Sequence, residues 1–179
     1  MSGCSQRPVG RLETGNVASR SAAVVTVSDS VSQGLATDSS GPAAVAALED
    51  LGFSVSRTMV VPDGIESVSE ALVELADDVS LVVTTGGTGL APRDLTPEAT
   101  RSVIDREVQG LSEAMRSETF GRIPFGKLSR GVCGLRGRCL IVNLPGSPKA
   151  VVEGLAVIGP VLAHAVDVAS EEIGHHGSG

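Results

Sequence analysis

Five short β-branched, apolar runs, separated by stretches with helical spacing, restrict this chain to very few architectures. The segments 22–28 (AAVVTVS), 53–61, Leu81–Thr85, 131–135 and Cys139–Leu144 read as strands. Between them, 42–51 reads as a helix, with Pro42 at its start and Gly52 just beyond its end. Ile65–Ala76 carries Ile65, Val68, Leu72, Leu75 and Ala76 on one helical face, and 97–106 starts on a proline. A weaker helix covers 111–120. Ser147-Pro148 opens a long C-terminal helical segment that Pro160 should kink or split. Strands alternating with helices predict an α/β fold with a largely parallel sheet covered on both faces.

In such folds ligands bind at the carboxyl ends of the strands, and the unusual polar loops of this chain all leave strands there. They are Ser28-Asp29-Ser30, Pro62-Asp63-Gly64, Gly86 to Asp94, and Pro145-Gly146-Ser147. Scattered in sequence, they should converge in space. The third loop, inside LVVTTGGTGLAPRDLTPEAT, has almost no bulk. Its glycines permit positive φ and close backbone approach, so its amides suit a phosphate or a polar heterocycle. A tight strand-to-helix connection explains the same glycines equally well. The loop is not a dinucleotide fingerprint, because in G-x-G-x-x-G from Gly87 the last position is Pro92. The segment GRIPFGKL imitates a P-loop, but Leu128 stands where a hydroxyl is needed and no strand precedes Gly121.

Each aspartate in these loops has a structural reading beside a functional one. Asp63 with Glu66 resembles a capping box before the 65–76 helix, Asp94 suits a turn leading to Thr96 as N-cap, and Asp29 suits a loop cap. Three carboxylates beside a glycine-rich loop also suit Mg²⁺ held over a phosphate chain.

Composition sets the outer limits. The chain has 179 residues, enough for one domain with a real core, and a net charge of −7. We expect a disordered leader over 1–20, a single domain over 21–172 and a disordered tail over 173–179. The first segment has no apolar core of a secretory signal, and the longest apolar run, 151–168, is interrupted by Glu153, His164 and Asp167. Cys4, Cys133 and Cys139 have no zinc-ligand spacing and fit a reduced, cytoplasmic protein. His175 and His176 fall in the tail, and His164 reads as a packed or edge residue. With no Trp or Tyr and three Phe, the chain has no platform for stacking bases, and its acidity opposes nucleic-acid binding. Charge is uneven, however. Between Arg116 and Lys149 seven basic residues face one acid, Glu118, which reads as a solvated face or as a site for a small anion.

The motifs TTGGTGLAPRDLTPEAT, SDS at Ser28, LSRGVCG at Leu128 and NLPGSPKA at Asn143 together resemble the Mog/MoaB family of molybdenum-cofactor biosynthesis proteins. That family includes the G domain of gephyrin, and the likeness spans about 21–171. The resemblance implies a three-layer α/β/α sandwich around a mixed, mostly parallel sheet, assembled as trimers or hexamers. It implies molybdopterin binding and, in the Mog branch, transfer of AMP from MgATP to the terminal phosphate of molybdopterin. The MoaB-type alternative binds or scaffolds without adenylating. Asp63 and Asp94 match the acids that handle nucleotide, Mg²⁺ and pterin phosphate. Thr85, Gly86, Gly87, Thr88, Gly89, Gly146 and Ser147 match pterin and phosphate contacts. Ser28 and Asp29 match the first-strand motif, and Arg130 of LSRGVCG joins the expected substrate contacts. Possible hand-over to a molybdenum-inserting protein is also implied, with no membrane or nucleic-acid partner.

Overall fold

The β-branched runs form strands and the periodic segments form helices in the computed structural model, which describes residues 20–119 and 124–170. In chain order the elements are β1 (Ser21–Val27), α1 (Asp29–Ser32), α2 (Ser40–Asp50), β2 (Ser54–Val61), α3 (Ile65–Ala76), β3 (Leu81–Thr85), α4 (Thr96–Val103), β4 (Arg106–Glu107), α5 (Gln109–Ala114), β5 (Cys133–Arg136), β6 (Cys139–Leu144) and α6 (Pro148–Ser170). A π-helical turn, Met115–Thr119, follows α5, and a 3₁₀ turn, Pro124–Leu128, precedes β5.

The sheet has the order β2-β1-β3-β6-β5-β4. β2, β1, β3 and β6 run parallel, whereas β5 is antiparallel to β6 and to β4. The expected mixed, mostly parallel sheet is therefore present. Its inner strands face helices on both sides, so they need apolar residues at every position rather than alternation. On one face Val24, Val83 and Val142 pack with Leu48 of α2, Leu111 of α5 and Leu155 of α6. On the other, Val25, Val82 and Ile141 pack with Leu72 of α3 and Val103 of α4. Each such buried side chain contributes about 1.5–3 kcal/mol.

Pro160 does not split α6, which runs unbroken for 23 residues. Its ring lies on the exposed side, while Leu155, Ile158 and Leu162 bury the other face. By length and composition α6 is apolar enough to cross a bilayer, yet that buried stripe lines the core of this domain. The described chain begins at Arg20, one residue inside the segment expected to be a leader. Its guanidinium donates to both carboxylate oxygens of Asp167 at 2.9 and 2.7 Å, fastening the start of β1 to the end of α6. Residues 1–19 and 171–179, with the His175-His176 pair, lie outside the described residues, and so does part of the P-loop-like segment.

The strand order supplies the site. From β1 the chain moves to β2 on one side and then returns past β1 to β3 on the other. The connections after β1 and β3 thus leave in opposite directions, opening a crevice at their carboxyl ends.

Candidate functional site

Backbone geometry shapes the centre of this crevice. Gly86 and Gly87 have φ of +98° and +62°, in the region that disfavours a Cβ. Sterics would exclude one anyway. A Cβ on Gly86 would overlap the Val27 carbonyl oxygen, and one on Gly87 would overlap Thr96 Oγ1. The turn is held from both sides: Gly86 N–H donates to Leu144 O at 3.0 Å, Thr96 Oγ1 donates to Gly86 O at 3.0 Å, and Thr96 N–H to Gly87 O at 3.1 Å. Thr96 is therefore not an N-cap. It starts α4 itself and spends its hydroxyl on the glycine turn.

A cavity of about 500 Å³ opens on the β6 side of this turn. It is lined by Gly86, Gly87, Thr88, Gly89 and Asp94 of the loop after β3, by Pro145, Gly146, Ser147, Ala150 and Glu153 from the end of β6 into α6, and by Gly126, Leu128 and Ser129 from the segment before β5. Gly146 sits so close that a Cβ there would lie 3.3 Å from Gly86 Cα. Asp94 Oδ2 accepts the Ala91 N–H at 2.9 Å and lies 2.7 Å from where a Gly89 Cβ would be. The P-loop-like segment thus supplies Gly126 and Leu128 to the cavity without forming a P-loop, since 124–128 is a 3₁₀ turn.

On the β1–β2 side the crevice is built from charge. Asp29 N–H donates to Asp63 Oδ2 at 2.8 Å, and Asp63 N–H donates back to Asp29 Oδ1 at 3.1 Å. Arg93 closes the group, with Nε 2.7 Å from Asp29 Oδ2 and Nη2 donating to Asp29 Oδ1 and to the Asp63 carbonyl, each at 3.1 Å. The capping readings fail here. α3 has Gly64 as N-cap with no side-chain cap bond, because the Asp63 carboxylate has turned toward Asp29. Ser28, not Asp29, caps α1 by accepting the Val31 N–H at 3.3 Å. Asp63 Oδ1 lies 3.4 Å from the position of a Gly87 Cβ, so the glycine turn is a thin partition between the acids and the cavity.

Two expected contacts occupy different places. Thr85 is fully buried beneath the turn, sharing a hydrogen bond of 2.9 Å with Ser40 Oγ. Arg130 braces the loop: Nε donates to Gly89 O at 2.8 Å, Nη2 to Asp94 O, and Nη1 pairs with Glu98. Burial pushes the Glu98 carboxyl up, but hydrogen bonding to Arg130 and the charges of Arg130 and Arg101 outweigh it, leaving it below the ordinary range. Its Oε2 is buried without a partner. The basic run of the sequence is dispersed by the fold. Arg136 and Arg138 sit in the β5–β6 hairpin, at the opposite end of the sheet, where Arg136 donates to Val103 O at 2.9 Å. Arg116 is turned to Gly131 O at 2.9 Å.

Sequence reasoning passed over four contributors. Arg93 carried no signal beyond its position in the loop, and Thr96 looked like a cap. Asn143 is a buried hub, donating to Thr84 Oγ1 at 3.0 Å and Thr100 Oγ1 at 2.9 Å while accepting the Val132 N–H at 3.1 Å. Glu153 was legible in principle, since three residues after Ala150 it returns to the same helical face.

The arrangement matches known proteins. Residues 23–164 match the family described as "Probable molybdopterin binding domain". Gephyrin of Dictyostelium discoideum is 40% identical over 154 residues, 80% of this chain but only 21% of that longer protein. Molybdopterin adenylyltransferase of Escherichia coli K12 is 40% identical over 155 residues, 80% of this chain and 77% of its own length. The crystal structure of the molybdopterin biosynthesis enzyme MoaB from Thermus thermophilus superposes with a TM-score of 0.80 at 44% identity, covering 85% of this chain and 97% of that one.

Proposed function

The chain belongs to the molybdopterin-binding domain family, and we propose that it transfers AMP from ATP to the terminal phosphate of molybdopterin. The observation that carries this reading is the partition at Gly86-Gly87. It sets a cavity fit for a heterocycle and its phosphate directly against a carboxylate group fit for a nucleotide's metal.

The cavity side binds the acceptor. The amides of Gly87 to Gly89, with Ser147, receive its phosphate, and Leu128 and Ala150 offer apolar surface to its ring. Arg130 serves by holding the Gly89–Asp94 wall in place. A phosphate oxygen of the acceptor attacks the α-phosphorus of ATP, the bond to the bridging oxygen breaks, and pyrophosphate leaves. The nucleophile is already an anion, so no side chain has to remove a proton. The work of the chain is alignment and charge neutralisation.

Mg²⁺ fits the residues present. Among the described residues no cluster of three or more metal-binding side chains exists. An all-protein cage is therefore absent, and the donor set suits the usual mode of Mg²⁺, which takes one or two carboxylates together with substrate phosphates and water. Asp94 and Asp63 would hold it, Asp63 through Oδ1, because Oδ2 is engaged by the Asp29 amide. When bound, the ion supplies neutralisation of the polyphosphate charge.

The test is to incubate the purified protein with molybdopterin, ATP and Mg²⁺ and to follow adenylylated pterin and pyrophosphate. Stoichiometric appearance of both supports the reading, and binding without either product overturns it. We also propose a trimer. Val152, Val161 and Val168 of α6 are about half exposed, at 48%, 50% and 50%, on a helix whose opposite face is buried. A particle of one chain, 18.1 kDa, in sedimentation at micromolar concentration would refute this assembly.

A further inference from the structure

We infer that Arg93 binds the pyrophosphate end of ATP, and that Asp29 holds the guanidinium in place for that task instead of holding metal. The inference rests on the transferase reading. Carboxylates beside a phosphate chain repel it unless cations intervene. Asp63 keeps Oδ1 for such a cation, because the Asp29 N–H engages Oδ2. Asp29 has both oxygens engaged: Oδ1 accepts from the Asp63 N–H and from Arg93 Nη2, each at 3.1 Å, and Oδ2 lies 2.7 Å from Arg93 Nε. A carboxylate gripped along its whole edge by a guanidinium serves as a holder.

What Asp29 holds is one edge of a planar fork. Nε and Nη2 face Asp29, and Nη2 also donates to the Asp63 carbonyl at 3.1 Å. Nη1 makes no bond among the described residues, on a side chain that is 67% exposed. The donors of a guanidinium point in fixed directions, so pinning one edge aims the others, and such an edge matches the oxygens of a phosphate. Stability alone does not explain the arrangement, since an exposed ion pair contributes little. Yet one exposed side chain ties together the loops after β1, β2 and β3.

Position assigns Arg93 to the leaving group. The acceptor comes from the cavity, whose lining includes Asp94 but not Arg93, Asp29 or Asp63. In an in-line displacement the leaving oxygen lies opposite the attacking one. Pyrophosphate then departs on the acid side of the glycine turn, where Arg93 stands. Negative charge accumulates there as the bond to the bridging oxygen breaks, and a preset cation stabilises it. Asp94 and Arg93 are neighbours in the chain, but the first lines the cavity and the second meets the acids.

The probes are pyrophosphate and AMP, each with Mg²⁺, titrated calorimetrically into the wild-type protein, Arg93→Ala, Asp29→Asn and the double variant. Arg93→Ala should weaken pyrophosphate binding about tenfold or more, as expected when a charged group loses its hydrogen bonds, and leave AMP unchanged. Its melting temperature should hardly move. Asp29→Asn should weaken pyrophosphate binding where Arg93 is present and not in the Arg93→Ala background, because Asp29 acts through Arg93. A merely structural ion pair would weaken both probes alike or neither. Unchanged pyrophosphate affinity in Arg93→Ala, equal losses for the two probes, or an Asp29→Asn effect independent of Arg93 overturns the inference. In a protein that still forms adenylylated molybdopterin, each of these leaves the transferase reading standing. Failure of the wild type to bind either pyrophosphate or ATP overturns both.

Discussion

The two sides of the crevice meet at Gly87 yet are built by opposite means. On the β6 side, shape comes from backbone: Gly86, Gly87, Gly89 and Gly146 stand where a Cβ would meet another group. On the β1–β2 side, Asp29, Asp63 and Arg93 interlock through side-chain charge, with Arg93 67% exposed to water. Shape complementarity in a packed wall fails abruptly, because protein interiors have little free volume. An exposed charge network is screened by solvent and yields gradually. Changes on the cavity side should therefore act nearly all-or-none, and those on the acid side should be graded.

Gly87→Val tests the abrupt side hardest. It combines an unfavourable positive φ with overlap at Thr96, so pterin binding should fall below detection, with a stability loss of about 2–4 kcal/mol in denaturant titration. Gly137→Ala is the matched control. Its φ is also positive, at +54°, but nothing lies within 4 Å of the added methyl, so stability should fall by ~1 kcal/mol and binding should persist. Equal effects from the two would mean that packing in the cavity wall adds nothing to the cost of a positive φ.

Asp94→Asn comes next. Losing one electrostatic contact at a transition state costs ~3 kcal/mol, or about a hundredfold or more in turnover, with the fold intact by circular dichroism. Asp63→Asn should show a comparable loss and little unfolding, because an amide oxygen can still accept the Asp29 N–H and no helix cap is broken. Wild-type turnover in both variants would remove Asp94 of the cavity wall and Asp63 of the acid side from the reaction.

Arg93→Ala should cost less. An exposed ion pair contributes about 0.2–1 kcal/mol, and the coupling measured in a cycle with Asp29→Asn should shrink as salt is raised. A salt-independent coupling above that range would mean the acid side is as rigid as the glycine wall.

The smallest expected effect concerns pH. The Glu98 carboxyl is held below its ordinary value, so its pairing with Arg130 is complete above the ordinary carboxylate range and is lost only as pH falls through the depressed value. Arg130→Gln should thus lower thermal stability slightly at pH 7, with the difference from wild type closing in acid. A difference that widened in acid would reverse the assigned sign.

Much of this was legible in the chain. β3 and β6 were read to their ends, since central parallel strands need unbroken apolar runs, and α3 was read from its single amphipathic face. α1 and β4, of four and two residues, were not, because elements so short carry no period. The cavity's glycines and Ser147 stood out as bare backbone and hydroxyl at strand ends, but a tight strand-to-helix connection explained the glycines equally well until the fold placed a cavity against them. Asp63 was ambiguous because the residues that cap a helix are the same ones that bind a metal.

The amino-acid sequence alone determined the layers and the end of the sheet where chemistry gathers, because periodicity and turn residues act over neighbours in the chain. Only the tertiary structure decided partners. It joined Asp29 to Asp63 across 34 residues, turned Arg130 onto the Gly89–Asp94 loop, and carried Arg136 and Arg138 to the far end of the sheet. Charges close in sequence separated, and charges far apart met, because side-chain pairing depends on distances of a few ångströms that strand order and crossover direction set.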